Sequence, residues 1–174
     1  MAIFCYKTGV YPISLETSAV RMILNQDGSM QVQVGATEIG QGADTMWVMM
    51  TAETVGVTLD KVYLVSKQDT DVTPYDTGAY GSRQTYVSGM AVKKTAESMR
   101  RKILEYAALM TNKDPMDLDI VANKIVRKNT DIVLTTVKDV AMESCYSLTN
   151  SNHIAVEETH HCSDNTYAFG VCFT

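Results

Sequence analysis

The sequence lacks any close cysteine pair. Cys5, Cys145, Cys162 and Cys172 are widely spread, with no C-x-x-C. Neither a zinc ribbon nor a redox dithiol is written into the chain, and the thiols read as small buried hydrophobes. No apolar run approaches the roughly 18–20 residues that span a bilayer. Gly9 and Pro12 interrupt the opening segment where a signal peptide needs an unbroken apolar core. No N-x-S/T acceptor occurs either. These absences argue against membrane and secretory classes and lead to the expectation of a cytoplasmic protein. Positive charge is also short: 15 Lys+Arg stand against 20 Asp+Glu, a net charge of −5. With a pI near 5.1, the chain lacks the basic surplus of a general nucleic-acid binder. There are only 3 prolines among 174 residues, and no linker, repeat or low-complexity tract divides the sequence. Residues 1–174 therefore read as a single domain.

What the chain does have is alternation. Val20, Met22 and Leu24 face Met30, Val32 and Val34 across the connector Asn25–Ser29. This predicts an antiparallel hairpin with one buried face. Three glycines in Gly35–Gly42 then break the strand. Asp44 and Thr45 are expected to cap a helix that stops at Gly56. Its apolar stripe is wide enough to predict burial on more than one side. Val62–Val65 returns as a strand, and Gln68 to Gly81 carries no hydrophobic periodicity. A loop of that length inside a compact domain is usually functional or disordered.

The longest helix is predicted from Ser82 or Gln84 to Met110, burying Val92, Ala96, Met99, Ile103, Tyr106 and Met110. Glu97 and Arg101 are spaced for an i,i+4 pair on its outer face. Short strands are expected at Leu118–Val121, Lys124–Arg127 and Asp131–Leu134. A capping box of Thr136 and Asp139 should open a helix to about Tyr146. Weak alternation from His153 to His160 precedes an apolar run, Tyr167–Phe173. That run meets the end of the sequence without a turn signal, and the expectation is a fragment cut from a larger domain. The fold class expected is α+β, a mixed sheet with helices packed on it.

Two glycine-rich turns at helix starts are the chemically suggestive features. Gly40-Gln41-Gly42 opens the first helix, and Gly78-Ala79-Tyr80-Gly81-Ser82-Arg83-Gln84-Thr85 opens the long one. Glycines admit close backbone approach, and a helix N-terminus favours anions. Together they suit a ligand carrying several oxyanions. Other constellations are weaker. Asp69, Asp71 and Asp76 do not meet the EF-hand pattern and read as turn stabilisers. His160-His161-Cys162 alternate across a strand and cannot converge easily on a metal. No P-loop, dinucleotide fingerprint or nucleophile elbow occurs.

These motifs carry a resemblance. Gly35-Ala36-Thr37-Glu38-Ile39-Gly40-Gln41-Gly42-Ala43-Asp44-Thr45 resembles the G-x-x-E-x-G-Q-G-x-x-T segment of the molybdenum-binding subunits of xanthine dehydrogenases and aldehyde oxidases. Ala52–Val57, Asp69–Pro74 and Gly78–Arg83 continue the match in order. It covers about residues 6–103, and 167–173 again. The resemblance implies a molybdopterin cofactor, in the cytosine dinucleotide form for a bacterial type. It implies that Gln41 lies beside the molybdenum, with Gly40 and Gly42 permitting the approach. Gly81, Ser82, Arg83 and Gln84 become a loop whose backbone donors hold the pterin and its phosphates. No catalytic residue is expected within this chain, because the family's general-base glutamate should lie beyond residue 174. Cofactor retention by this chain alone is not expected. The implied partners are the remainder of the molybdenum subunit, iron–sulfur and FAD modules, and a purine or aldehyde substrate. The alternative is a cofactor-free structural piece that pairs with a partner subunit.

Overall fold

The computed structural model describes residues 1–65 and 69–173. Gln68, the expected start of the long loop, lies outside them. In chain order come β1 (Ala2–Lys7), β2 (Glu16–Leu24), β3 (Met30–Val34), α1 (Ala43–Val55) and β4 (Val62–Val65). A π-helical turn, Gln84–Ser88, leads into α2 (Gly89–Thr111). Then follow β5 (Leu118–Val121), β6 (Lys124–Arg127), β7 (Val133–Thr136), α3 (Val137–Tyr146), β8 (Ala155–Cys162) and β9 (Tyr167–Cys172).

The predicted hairpin is the centre of the molecule. β2 pairs antiparallel with β3, Val20 opposite Val34 and Leu24 opposite Met30. Its inward residues are essentially excluded from solvent, as strict alternation over one buried face requires. β8 adds to the other side of β2, and β4 adds parallel to β3, giving the sheet order β4-β3-β2-β8. The sheet is therefore mixed, and α1 is the crossover that a parallel pair demands. Helix α2 packs across β2 and β8, with Val92, Ala96, Met99 and Ile103 fully buried. Trp47 on α1 fills the same core. β5, β6 and β7 form a separate antiparallel sheet, and β1 pairs with β9 in a two-stranded ribbon.

Several local expectations change. The third short strand is Val133–Thr136 rather than Asp131–Leu134. Met110 is partly exposed, so the buried stripe of α2 ends near Ala108. Glu97 pairs loosely with Lys93 at 3.9 Å, while Arg101 donates to Ser98 Oγ at 3.1 Å. Both i−4 and i+4 cations were in reach of Glu97, and spacing alone does not choose between them. The capping box at Thr136 and Asp139 forms as expected.

Residues 75 and 76 are held against β2 by backbone bonds. Beyond the end of β3, Tyr75 and Asp76 take its place along β2. Ala19 N–H donates to the Tyr75 carbonyl at 2.8 Å, and Ser18 bridges Asp76. Gly35 makes this possible, since a Cβ there would sit 2.0 Å from the Pro74 carbonyl oxygen. Gly35→Ala is expected to destabilise the protein by about 1–3 kcal/mol through overpacking. Chemical denaturation checks this, and the midpoint should fall with little change in slope.

Candidate functional site

Arg83 fixes the geometry of the second glycine-rich turn. Its side chain and those of its carboxylate partners, Glu16 and Asp76, are at most 2% exposed. Nε donates to Glu16 Oε2 at 2.6 Å, Nη1 to Asp76 Oδ1 at 2.7 Å and the Gly78 carbonyl at 2.8 Å, and Nη2 to the Thr17 carbonyl at 2.8 Å. Glu16 also accepts from Val10 N–H and Tyr80 Oη, and Asp76 from Gly78 N–H and Ser88 Oγ. The Tyr80 ring lies 5.4 Å from the guanidinium carbon. A guanidinium so surrounded ties β2, the loop and the start of α2 into one unit.

This revises the expectation for Arg83. Its guanidinium is turned into the protein, and its N–H donates to the Tyr80 carbonyl at 3.1 Å. Neither is a free donor, so Arg83 acts by shaping the turn. Glu16 escaped the sequence reading, yet a signal existed. It shares strand parity with Ser18, Val20, Met22 and Leu24, the core-facing set. A charged residue at such a position needs a buried partner.

The turn that Arg83 shapes runs through left-handed backbone at Gly81 and Ser82, with φ of 56° and 53°. Gly9 N–H donates to the Gly81 carbonyl at 2.7 Å, and a Cβ on Gly81 would lie 3.1 Å from Gly9 Cα. Gln84, buried, then begins the π-helical turn.

The first glycine-rich turn is built around a carboxylate. Glu38 Oε1 accepts from Gly40 N–H at 2.6 Å and Gly42 N–H at 3.1 Å, and Oε2 accepts from Asp44 N–H at 3.1 Å. The N–H of Asp44, followed by those of Gly42 and Gly40, holds the Glu38 carboxyl below the usual glutamate range. The start of α1 is therefore not an open anion seat, as the glycine pattern suggested. Nor do Asp44 and Thr45 cap it: the N-cap is Gly42 without a side-chain bond, and Asp44 Oδ1 is buried without a hydrogen-bond partner. Gly40 and Gly42 have φ of 100° and 81°, and a Cβ on either would meet nothing within 4 Å. They serve the loop's curvature and leave the space above it open.

The two turns meet at Gln41. Its Nε2 donates to Gln84 Oε1 and to the Thr37 carbonyl, the latter at 3.1 Å, while its Oε1 accepts from Ile39 N–H at 2.6 Å. Gln84 Nε2 donates to the same Thr37 carbonyl at 2.7 Å. By donor and acceptor count over these bonds, a lone pair on Gln41 and both a lone pair and one N–H on Gln84 remain uncommitted. Both side chains line a half-open cavity of about 460 Å³ together with Tyr6, Ile39 and residues 79–83 and 85. Gly40 and Gly42 do not line it. Tyr6 and Ile39 were not singled out from sequence, because a tyrosine on an edge ribbon and an isolated isoleucine carry no motif.

Other candidates disperse. Asp69 and Asp76 accept from Asp71 and Gly78 N–H groups, as turn residues do. His161 Nδ1 pairs with Thr17 Oγ1 at 3.0 Å, whereas Cys162 points inward. Burial, then Lys94 and His161, lowers the pKa of His160. Among the described residues no group of three or more His, Cys, Asp or Glu side chains is placed to hold a metal ion.

The family described as Molybdopterin cofactor-binding domain matches residues 1–174. The chain belongs to that family. It is 40% identical over 174 residues to the putative xanthine dehydrogenase molybdenum-binding subunit XdhA of Escherichia coli, covering 99% of this chain and 23% of that protein. It is 29% identical over 150 residues to the carbon monoxide dehydrogenase large chain of Hydrogenophaga pseudoflava, covering 85% and 19%. The chain thus spans about a quarter or less of the relatives it matches. Its fold is similar to quinoline 2-oxidoreductase from Pseudomonas putida 86, with a TM-score of 0.81 at 17% identity, over 97% of this chain and 23% of that one. Among the described residues no helix is long and apolar enough to cross a membrane.

The cavity's chemistry fits the family's cofactor. Its polar lining is amides, hydroxyls and backbone rather than a metal-ligand cluster, which suits a group that brings its own ligands to the metal. Since Arg83 underwrites this geometry, Arg83→Ala should cost about 3–5 kcal/mol by leaving two buried carboxylates unpaired. Arg83→Lys should recover only part, because an ammonium cannot meet four directed acceptors in a plane. Unfolding free energies of the two variants check this.

Proposed function

We propose that the chain is a piece of a larger molybdopterin-binding domain and supplies one wall of the cofactor site, with Gln41 nearest the molybdenum. The observation that carries this reading is the meeting of Gln41 and Gln84 at one cavity. They come from two motifs separated by more than forty residues, and the resemblance assigns both to the same cofactor. When bound, the cofactor supplies two-electron oxidation chemistry. Gln41, Gln84 and the Gly81–Ser82 turn would bind and orient the pterin. The uncommitted acceptor on Gln41 and donor on Gln84 suit the mixed donor–acceptor edge of such a ring. Gly40 and Gly42 leave room for it, and Arg83 holds the turn in shape from within.

The whole protein, on this reading, is a xanthine dehydrogenase-type hydroxylase acting on a purine, a related heterocycle or an aldehyde. The general-base glutamate lies in a part of the protein other than residues 1–174. The cofactor is the cytosine dinucleotide form, electrons leave through iron–sulfur and FAD modules, and the setting is the cytoplasm.

The experiment is to measure molybdenum, released pterin and turnover in the native-length protein and its Gln41→Ala variant. Near-stoichiometric molybdenum in the wild type is expected. The variant should fold normally and lose roughly 10²-fold or more in turnover, the scale of losing one well-placed polar contact at a reacting centre. Normal turnover at normal molybdenum content would remove Gln41 from the site. A wild-type protein free of molybdenum and pterin would leave a cofactor-free structural role.

A further inference from the structure

The two turns that meet at the cavity are held in different ways. The Gly81–Gln84 turn is anchored from inside by Arg83, with Gly9 backbone packed against it. The Gly40–Gly42 turn has no such support. Ile39 is 69% exposed, Gln41 is exposed, and the flanking glycines face open space. Packing therefore does not fix where Gln41 points.

A carboxylate stands in for that packing. Glu38 accepts N–H bonds from Gly40 and Gly42, the residues on either side of Gln41, and from Asp44 in the first turn of α1. Both glycines sit at positive φ, so the two N–H groups converge on one point, and the N-cap residue supplies no side-chain bond of its own. The carboxylate satisfies donors that α1 would otherwise leave open and closes the loop around itself. On its crest, Gln41 is turned to Thr37 and Gln84.

We propose that ionised Glu38 is the positioning residue for Gln41, an internal anion that curls the loop and aims the amide at the cavity. The proposal rests on the reading of that cavity as the cofactor site. It gives Glu38 a role in cofactor retention without contact with the cofactor. It also directs the phosphate groups of the cofactor elsewhere, since the Gly42 and Asp44 donors at the start of α1 are already used.

The test uses the native-length protein with Glu38→Ala and Glu38→Gln, in sodium formate or in sodium chloride of equal ionic strength. Retained molybdenum and melting temperature are both read. Formate has the two oxygens and the charge that the Ala variant lacks, and a vacated helix start accepts such an anion. Glu38→Ala should lose roughly fivefold in retained molybdenum, a loss in keeping with removal of a cap and its charge. Formate, but not chloride, should raise its melting temperature and restore molybdenum, while the wild type should not respond. Glu38→Gln keeps the shape and one acceptor without the charge, and should fall between the two. Full molybdenum in Glu38→Ala, or an equal response to formate and chloride, would overturn the proposal. The melting response to formate requires no cofactor. A formate-specific shift beside a Gln41→Ala variant with full molybdenum and turnover would instead overturn the reading of the cavity.

Discussion

A buried guanidinium between two buried carboxylates is the interaction on which the rest of the site depends. Arg83 cannot be solvated where it lies, so it must be bonded, and its four acceptors come from β2 and from residues 76 and 78. A buried charge cluster of this kind adds little net stability over an apolar replacement, yet removing one member is severe. What it contributes is geometry. It sets the course of the loop from Asp76 to Gln84, the left-handed turn at Gly81 and Ser82, and hence the edge of the cavity.

The second constraint is the mixed sheet beneath it. The β2–β3 hairpin sets register, α1 carries the chain across to β4, and Gly35 lets the loop cross close by. The start of α1 and the start of α2 are thereby brought to one end of the molecule, each introduced by a glycine turn. Their glutamines share the Thr37 carbonyl as an acceptor. The site is a contact between two loops on a rigid core, with one loop fixed from within by Arg83 and the other by the Glu38 carboxylate.

Much of this was legible in the sequence, for reasons that differ by element. Hairpin and helix faces followed from period, because burial of one face leaves a pattern that no local chemistry erases. The capping box at Thr136 and Asp139 was legible because it is local. Gln41 and Gln84 were legible as members of ordered motifs. The partners of Arg83 and Glu38 were not legible, because a charged residue's partner is not written beside it. Arg83 finds Glu16 across 67 positions, and only the core-facing parity of Glu16 hinted that such a partner was needed. Glu38 looked like one more motif residue beside an open helix end, whereas its carboxylate occupies that end. The glycine pattern showed where a carboxylate is welcome but not that the chain provides its own.

The cavity that Gln41 and Gln84 line together is the proposed seat of the metal-bearing cofactor. Anomalous diffraction at the molybdenum absorption edge, from crystals of the native-length protein, tests it most directly. The account predicts a single strong peak beside Gln41, with pterin density running toward the Gly81–Gln84 turn. A strong molybdenum peak away from this cavity, with Gln41 and Gln84 facing only solvent, would contradict it.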